Sequence, residues 1–135
     1  NGCQWIILDS LSNVKGDTRS SIFDTTSEAA DCAQELARLG LMVLCTSQVG
    51  RSMEGRESRI PTRHDGKGSG RIEENCDWLG YVYNHSELVR QGLKAPSIDF
   101  PSGTIAMGCL KVRYQESQAG TAIRLTFKGG MGVYD

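Results

Sequence analysis

The sequence lacks most of the features that narrow a function at a glance. No apolar run approaches the ~20 residues of a membrane span, and no signal peptide opens the chain, so no membrane partner is expected. There is no excess of charge: the formal net charge is -1. Bulk attraction to nucleic acid is thereby excluded, and any such site must be a local patch. The cysteines Cys3, Cys32, Cys45, Cys76 and Cys109 are odd in number and widely spaced, and none lies in a CxxC pair. That argues against a zinc site and for reduced thiols in the core of a cytoplasmic protein. Internal repeats and low-complexity tracts are absent. So is GxxxxGK[ST]: the nearest text, GKGSG at 66–70, has the wrong spacing and follows no apolar strand. A phosphate cradle of that kind needs a strand, a loop of backbone amides and a helix start.

What is present is enough for one domain with a core: 135 residues, 39% hydrophobic and 23% charged. Residues 5–8 read as a strand buried on both faces, an apolar run ending in Asp9-Ser10. A helix opens at Thr25-Thr26-Ser27-Glu28, where a Thr with a Glu three residues on forms a capping box. Ala29, Cys32, Ala33 and Leu36 give it an apolar face, and Gly40 supplies a left-handed stop. Residues 41–46 read as a second buried strand. Strand, helix, strand predicts a right-handed crossover with parallel strands. Chemistry in such sheets collects beyond the strands' carboxyl ends, so Asp9, Ser10, Ser47 and Gln48 should share one crevice.

Residues 50–71 form a basic, glycine-rich loop. From Arg51 to Arg71 it carries six Lys or Arg against three acids. A mobile loop of this kind after a strand of the catalytic edge suits contact with a phosphate backbone. Residues 72–77 read as a short helical turn and 78–83 as a strand. Residues 84–104 read as a surface insertion. Residues 105–113 and 122–127 read as a hairpin, the second strand having one wet face, and 131–134 as a short last strand.

Four of these segments, in this order, resemble the carboxy-terminal half of the RecA-like ATPase domain of DnaB-type replicative DNA helicases. WIILDSLS resembles the Walker B strand, and LARLGLMVLCTSQVGR the helix and strand that precede a Ser-Gln-x-x-Arg motif. GSGRIEENCDWLGYVY resembles a Glu-Ser-Gly-x-Ile-Glu-x-x-Ala-Asp segment, and KVRYQESQAGTAIRLTF a Lys-x-Arg-Asn-Gly hairpin. The implied architecture is a single, partial α/β RecA-like domain over 1–135: parallel central strands with helices, then an antiparallel hairpin.

The resemblance also implies roles. Asp9 is the Walker B acid, holding Mg²⁺ directly or through water, with Ser10 beside the nucleotide. Mg²⁺ takes oxygen ligands and retains waters, so a strand-end carboxylate suits it. Gln48 senses the γ-phosphate of ATP and relays nucleotide state; an amide both donates and accepts, so it can switch partners. Lys111 and Arg113 reach into a neighbouring subunit's site. Two apart on a strand, they leave the same face, with Arg113 as the arginine finger. Arg51, Lys67, Gly68, Ser69, Gly70 and Arg71 line a channel for single-stranded DNA, where amides and Arg bind phosphate without sequence preference. Glu73 and Glu74 orient that turn.

The sequence departs from the family where Tyr114-Gln115 replace Asn-Gly, which puts the reach of Arg113 in question, and where Gly68 replaces an acid. With no phosphate cradle, the chain is expected to be inactive as an ATPase by itself and to resemble a piece of a hexameric helicase. The unpaired edge of a half-sheet is expected to drive self-association. Two other classes fit the same strand-end acid: a RecA-like ATPase of the recombinase or clock-protein kind, and a non-enzymatic half-domain that binds a helicase or single-stranded DNA. The basic glycine loop followed by Lys111-x-Arg113 favours the helicase.

Overall fold

A computed structural model describes residues 2, 4–14, 22–53, 55–56, 60–84, 87, 90, 103–114, 119–128 and 133–134, excluding the side chains of residues 22–24, 52, 69, 127–128 and 133–134. The chain divides into two compact units, one of residues 1–50 and 63–76, the other of residues 51–62 and 77–135.

The first unit is built on two parallel strands, β1 (Trp5–Leu8) and β2 (Met42–Cys45), in register Trp5↔Met42 through Leu8↔Cys45. Helix α1 (Ile22–Arg38) makes the crossover between them and α2 (Ser69–Asn75) follows. A parallel pair needs such a crossover, because a tight turn reverses the chain. The expected left-handed stop is at Gly40, φ 88°.

Three expectations are corrected here. The strands are not buried on both faces: Trp5, Ile7, Met42 and Leu44 are 60%, 66%, 54% and 47% exposed. A continuous apolar run shows that both faces are apolar, not that both are covered, and here one face is exposed and the other, with Ile6, Leu8, Val43 and Cys45, is half-buried. Second, α1 starts at Ile22, a turn before the capping box. Helix ends follow tertiary packing as well as local caps. Third, the buried stripe of α1 is Thr26, Ala29 and Ala30, with Cys32 exposed. Its phase is set by Thr26, 1% exposed, whose Cγ2 would lie 3.0 Å from a Cβ placed on Gly68. The small side chains let α1 and α2 approach closely. Asn75 Nδ2 donates to Asp31 Oδ1 (2.6 Å) and Gln34 Nε2 to the Asn75 carbonyl (3.4 Å), tying the helices together.

The second unit is an antiparallel sheet in the order β3-β4-β5-β6: β3 (Trp78–Asn84), β4 (Thr104–Val112), β5 (Ala122–Lys128) and β6 (Val133–Tyr134). The expected hairpin of 105–113 with 122–127 is present, and β3 joins it antiparallel. One face holds Tyr83, Thr104 and Ala106, all at most 5% exposed. The other aligns Val82, Met107 and Ile123 across three strands, and all three are exposed. The wet face expected of β5 is that of Arg124 and Thr126, and both are exposed; Ile123, on the opposite face, is exposed as well, so the expected dry face is not covered there. Gly108 is required by its neighbour: a Cβ there would meet the Tyr81 ring at 2.2 Å. The register shifts between Leu79 and Gly80, where Leu110 is an extra residue on β4. Such a bulge reverses which face the following residues take.

Among the described cysteines, Cys109 is buried, Cys45 and Cys76 are half-buried and Cys32 is exposed, so of these four thiols one is in the core as expected. Burial pushes the Cys45 thiol up from its usual range. Most of the expected insertion at 84–104 lies outside the described residues. No helix among the described residues is long and apolar enough to cross a membrane.

Candidate nucleotide and nucleic-acid site

The first cluster forms because parallel strands in register end together. Leu8 pairs with Cys45, so Asp9 and Thr46 are the next residues on neighbouring strands. The Thr46 hydroxyl donates to the Asp9 carboxylate, and the Thr46 amide donates to the Leu8 carbonyl at 3.0 Å. Leu11 N closes the other side on the Thr46 carbonyl at 2.9 Å. Asp9 is exposed, whereas Ser10 is buried and shares a 2.8 Å hydrogen bond with the Ser12 hydroxyl. Asn13 Nδ2 donates to the Asp9 carbonyl at 3.4 Å. The result is an exposed carboxylate that accepts from the Thr46 hydroxyl.

Gln48 lies beyond the same end of β2 with its side chain exposed. Its main chain is not a free loop. The Gln48 carbonyl accepts from Lys67 N (2.9 Å), Val49 bridges Gly66, and Gly50 N donates to the Asp65 carbonyl (2.7 Å). The exit of β2 is therefore zipped to residues 65–67, which lead directly into α2. Gly68 caps α2 in a left-handed conformation, φ 78°, and is buried against Thr26. A bulky acid would fit poorly there, which accounts for the departure at that position. Lys67, Gly70 and Arg71 are exposed. Ser69, Gly70 and Arg71 belong to the first turn of α2 rather than to a loop. Arg71 contacts Glu74 (3.6 Å), and His64 contacts Glu73 (3.4 Å), so both acids are engaged within this turn.

Arg51 opens a short 3-10 turn, Arg51–Met53, in the second unit. Lys111 and Arg113 are at the far end of β4, in that unit too. Lys111 is half-buried and opposite Leu79 beyond the bulge. Arg113 is one residue past the strand, but Arg113 N donates to the Asp77 carbonyl at 2.8 Å, continuing the ladder by a rung. Its Nη1 lies 3.0 Å from Asp77 Oδ1.

The structure thus gathers Asp9, Ser10, Gln48 and residues 67–71 in one unit, and Arg51, Lys111 and Arg113 in the other. Two residues of these clusters were missed from sequence. Thr46 was legible, since it follows β2 as Asp9 follows β1. Asp77 was not, because nothing local marks it as a partner of Arg113.

Residues 1–131 match the family of the DnaB-like helicase C terminal domain. The chain is 27% identical over 122 residues to the replicative DNA helicase DnaB of Geobacillus stearothermophilus, covering 82% of this chain and 27% of that protein. It is 28% identical to the DnaB helicase of Buchnera aphidicola subsp. Baizongia pistaciae, covering 100% of this chain and 27% of that one. It therefore spans about a quarter of the length of these relatives. Its fold matches a DnaB-like replicative helicase solved for its interactions with primase (TM-score 0.78, 18% identity, 96% of this chain and 30% of that chain). It also matches the ATPase domain of G40P (TM-score 0.78, 19% identity, 96% and 43%). The match runs through nearly its whole length, and the chain belongs to the DnaB-like helicase C-terminal domain family.

Proposed function

We propose that this chain is part of the motor of an ATP-dependent, ring-forming replicative DNA helicase, and that it links nucleotide to DNA. The observation that carries the reading is the backbone zipper from residues 48–50 to residues 65–67. It leaves little slack between Gln48, two residues past the Thr46 that contacts Asp9, and the basic turn that opens α2. In this reading Gln48 meets the γ-phosphate of ATP, and a shift of its main chain moves Lys67, Ser69, Gly70 and Arg71 against single-stranded DNA. Gly68 shapes the turn from beneath, and Arg51 adds a phosphate contact. Such contacts are electrostatic and indifferent to sequence.

The donor set fits Mg²⁺. Asp9 offers one exposed carboxylate with the Thr46 hydroxyl on it, both oxygen donors, and Mg²⁺ in nucleotide sites uses one or two carboxylates, several waters and the phosphates themselves. Asp9 would hold it, with Thr46 fixing the carboxylate's orientation and Ser10 bordering the nucleotide. Bound there, Mg²⁺ would neutralise charge on the β- and γ-phosphates. Lys111 and Arg113 serve the site of an identical neighbouring subunit. The planar guanidinium of Arg113 neutralises charge developing on the γ-phosphoryl, and Lys111 is a companion phosphate contact.

The chain by itself offers no phosphate cradle, so hydrolysis belongs to a protein that joins it to one. In that protein Gln48→Ala should keep nucleotide binding and lose the stimulation of ATP hydrolysis by single-stranded DNA. Full stimulation in the variant would sink the relay. Purified alone, the chain should self-associate through the exposed Trp5, Ile7, Met42 and Leu44. A single monomeric species across concentrations in sedimentation velocity would refute that.

A further inference from the structure

We infer that Asp77 is a positioning residue for Arg113, aiming its guanidinium toward the neighbouring subunit's phosphate. The inference rests on the reading of Arg113 as a finger acting in trans. Asp77 is the residue before β3 and Arg113 the residue after β4, each one step beyond the last paired rung, Trp78↔Val112. Asp77 holds Arg113 twice. Its carbonyl accepts from the Arg113 amide at 2.8 Å, and its carboxylate lies 3.0 Å from Nη1. The first bond fixes where the Arg113 side chain starts, and the second fixes where it ends.

Both requirements matter for an arginine that must arrive from another subunit. A free arginine has many rotamers to lose, whereas an anchored fork is already oriented when the phosphate comes. The bulge at Leu110 sets the phase of the strand end, so that Lys111 falls opposite Leu79 and Arg113 continues from it. The Asp77 rung is what carries that phase past the end of the sheet. The anchor is also weak enough to yield. The Arg113 and Asp77 side chains are 34% and 63% exposed, and ion pairs so open to water contribute little to folding. Loss of this carboxylate should therefore be felt in the aim of the arginine and hardly in the stability of the sheet. A phosphate dianion close to the guanidinium can share it or draw it away.

The test uses the assembled ATPase that contains this chain, with steady-state ATP hydrolysis and thermal midpoints for Asp77→Ala, Asp77→Asn, Arg113→Ala and the double variant. Arg113→Ala should lower kcat on the order of 10³-fold, as arginine fingers do. Asp77→Ala should lower kcat about tenfold with KM within about twofold, because the loss is one of orientation in the transition state. Asp77→Asn retains an acceptor oxygen and should recover part of it. The double variant should be no slower than Arg113→Ala, since two residues acting as a unit are not additive. Thermal midpoints should stay together. If Arg113→Ala is crippled while Asp77→Ala has wild-type or higher kcat, Asp77 does not aim the finger, although the finger reading stands. A double variant slowed multiplicatively overturns the inference too. If Arg113→Ala is fully active, the finger reading fails and the positioning role fails with it.

Discussion

The two units place their candidate site residues by opposite means. In the parallel pair, both strands end on one side, so Asp9 and Thr46 come together simply because Leu8 and Cys45 are in register, with Gln48 two residues further on. In the antiparallel sheet, neighbouring ends come together only as rungs of a ladder. There Arg113 is placed by its pairing with Asp77 and by a one-residue bulge further in. The parallel arrangement is robust, since one residue's side chain can change without moving the strand ends. The antiparallel one depends on phase, since a slip of one residue sends Lys111 and Arg113 to the other face.

The largest effect expected from this contrast is at the phase-sensitive end. Deleting Leu110 to remove the bulge should abolish activity of the assembled enzyme as completely as Arg113→Ala, while the chain still folds as judged by circular dichroism. Retained activity would mean that the bulge does not aim the pair. Next comes packing within each unit. Gly108→Ala drives a methyl into the Tyr81 ring and should destabilise the sheet by about 1–3 kcal/mol, read from the denaturation midpoint. Gly68→Ala meets both a positive φ and the Thr26 methyl, and should lower stability by about 1–2 kcal/mol. If Gly68→Ala is neutral, the close approach of α1 and α2 is not held at that point. The smallest effect is chemical. Cys32 should alkylate faster than Cys45, which is half-buried and has its thiol held neutral to higher pH. Equal rates at pH 8 would contradict the burial of Cys45.

The same contrast governs what could be read from sequence. Periodicity and Gly40 pointed to the strand-helix-strand order and the parallel pair whose ends lie together, because those depend on local pattern. Burial did not follow. Trp5, Ile7, Met42 and Leu44 are apolar and exposed, and no pattern in a strand states whether something covers it. The phase of α1 was misread because Cys32 counts as apolar, while the residue that meets Gly68 is a threonine whose methyl is buried. The start of α2 was put three residues late, since Gly68-Ser69-Gly70 reads as loop until the left-handed cap is seen. Asp77 and the bulge at Leu110 were invisible, as each is a relation between distant parts of the chain rather than a property of either.

The central claim, that Asp9 serves one site and Arg113 serves its neighbour's, is tested most directly by mixing subunits. Asp9→Asn and Arg113→Ala forms of the assembled ATPase would be prepared separately, both inactive, then dissociated, mixed and reassembled. ATP hydrolysis should return on mixing, because some interfaces then pair an intact Asp9 with an intact Arg113 from the adjacent subunit. If the mixture stays as inactive as its components across mixing ratios, although mixed assemblies form, then the two residues act within one subunit and the account is wrong.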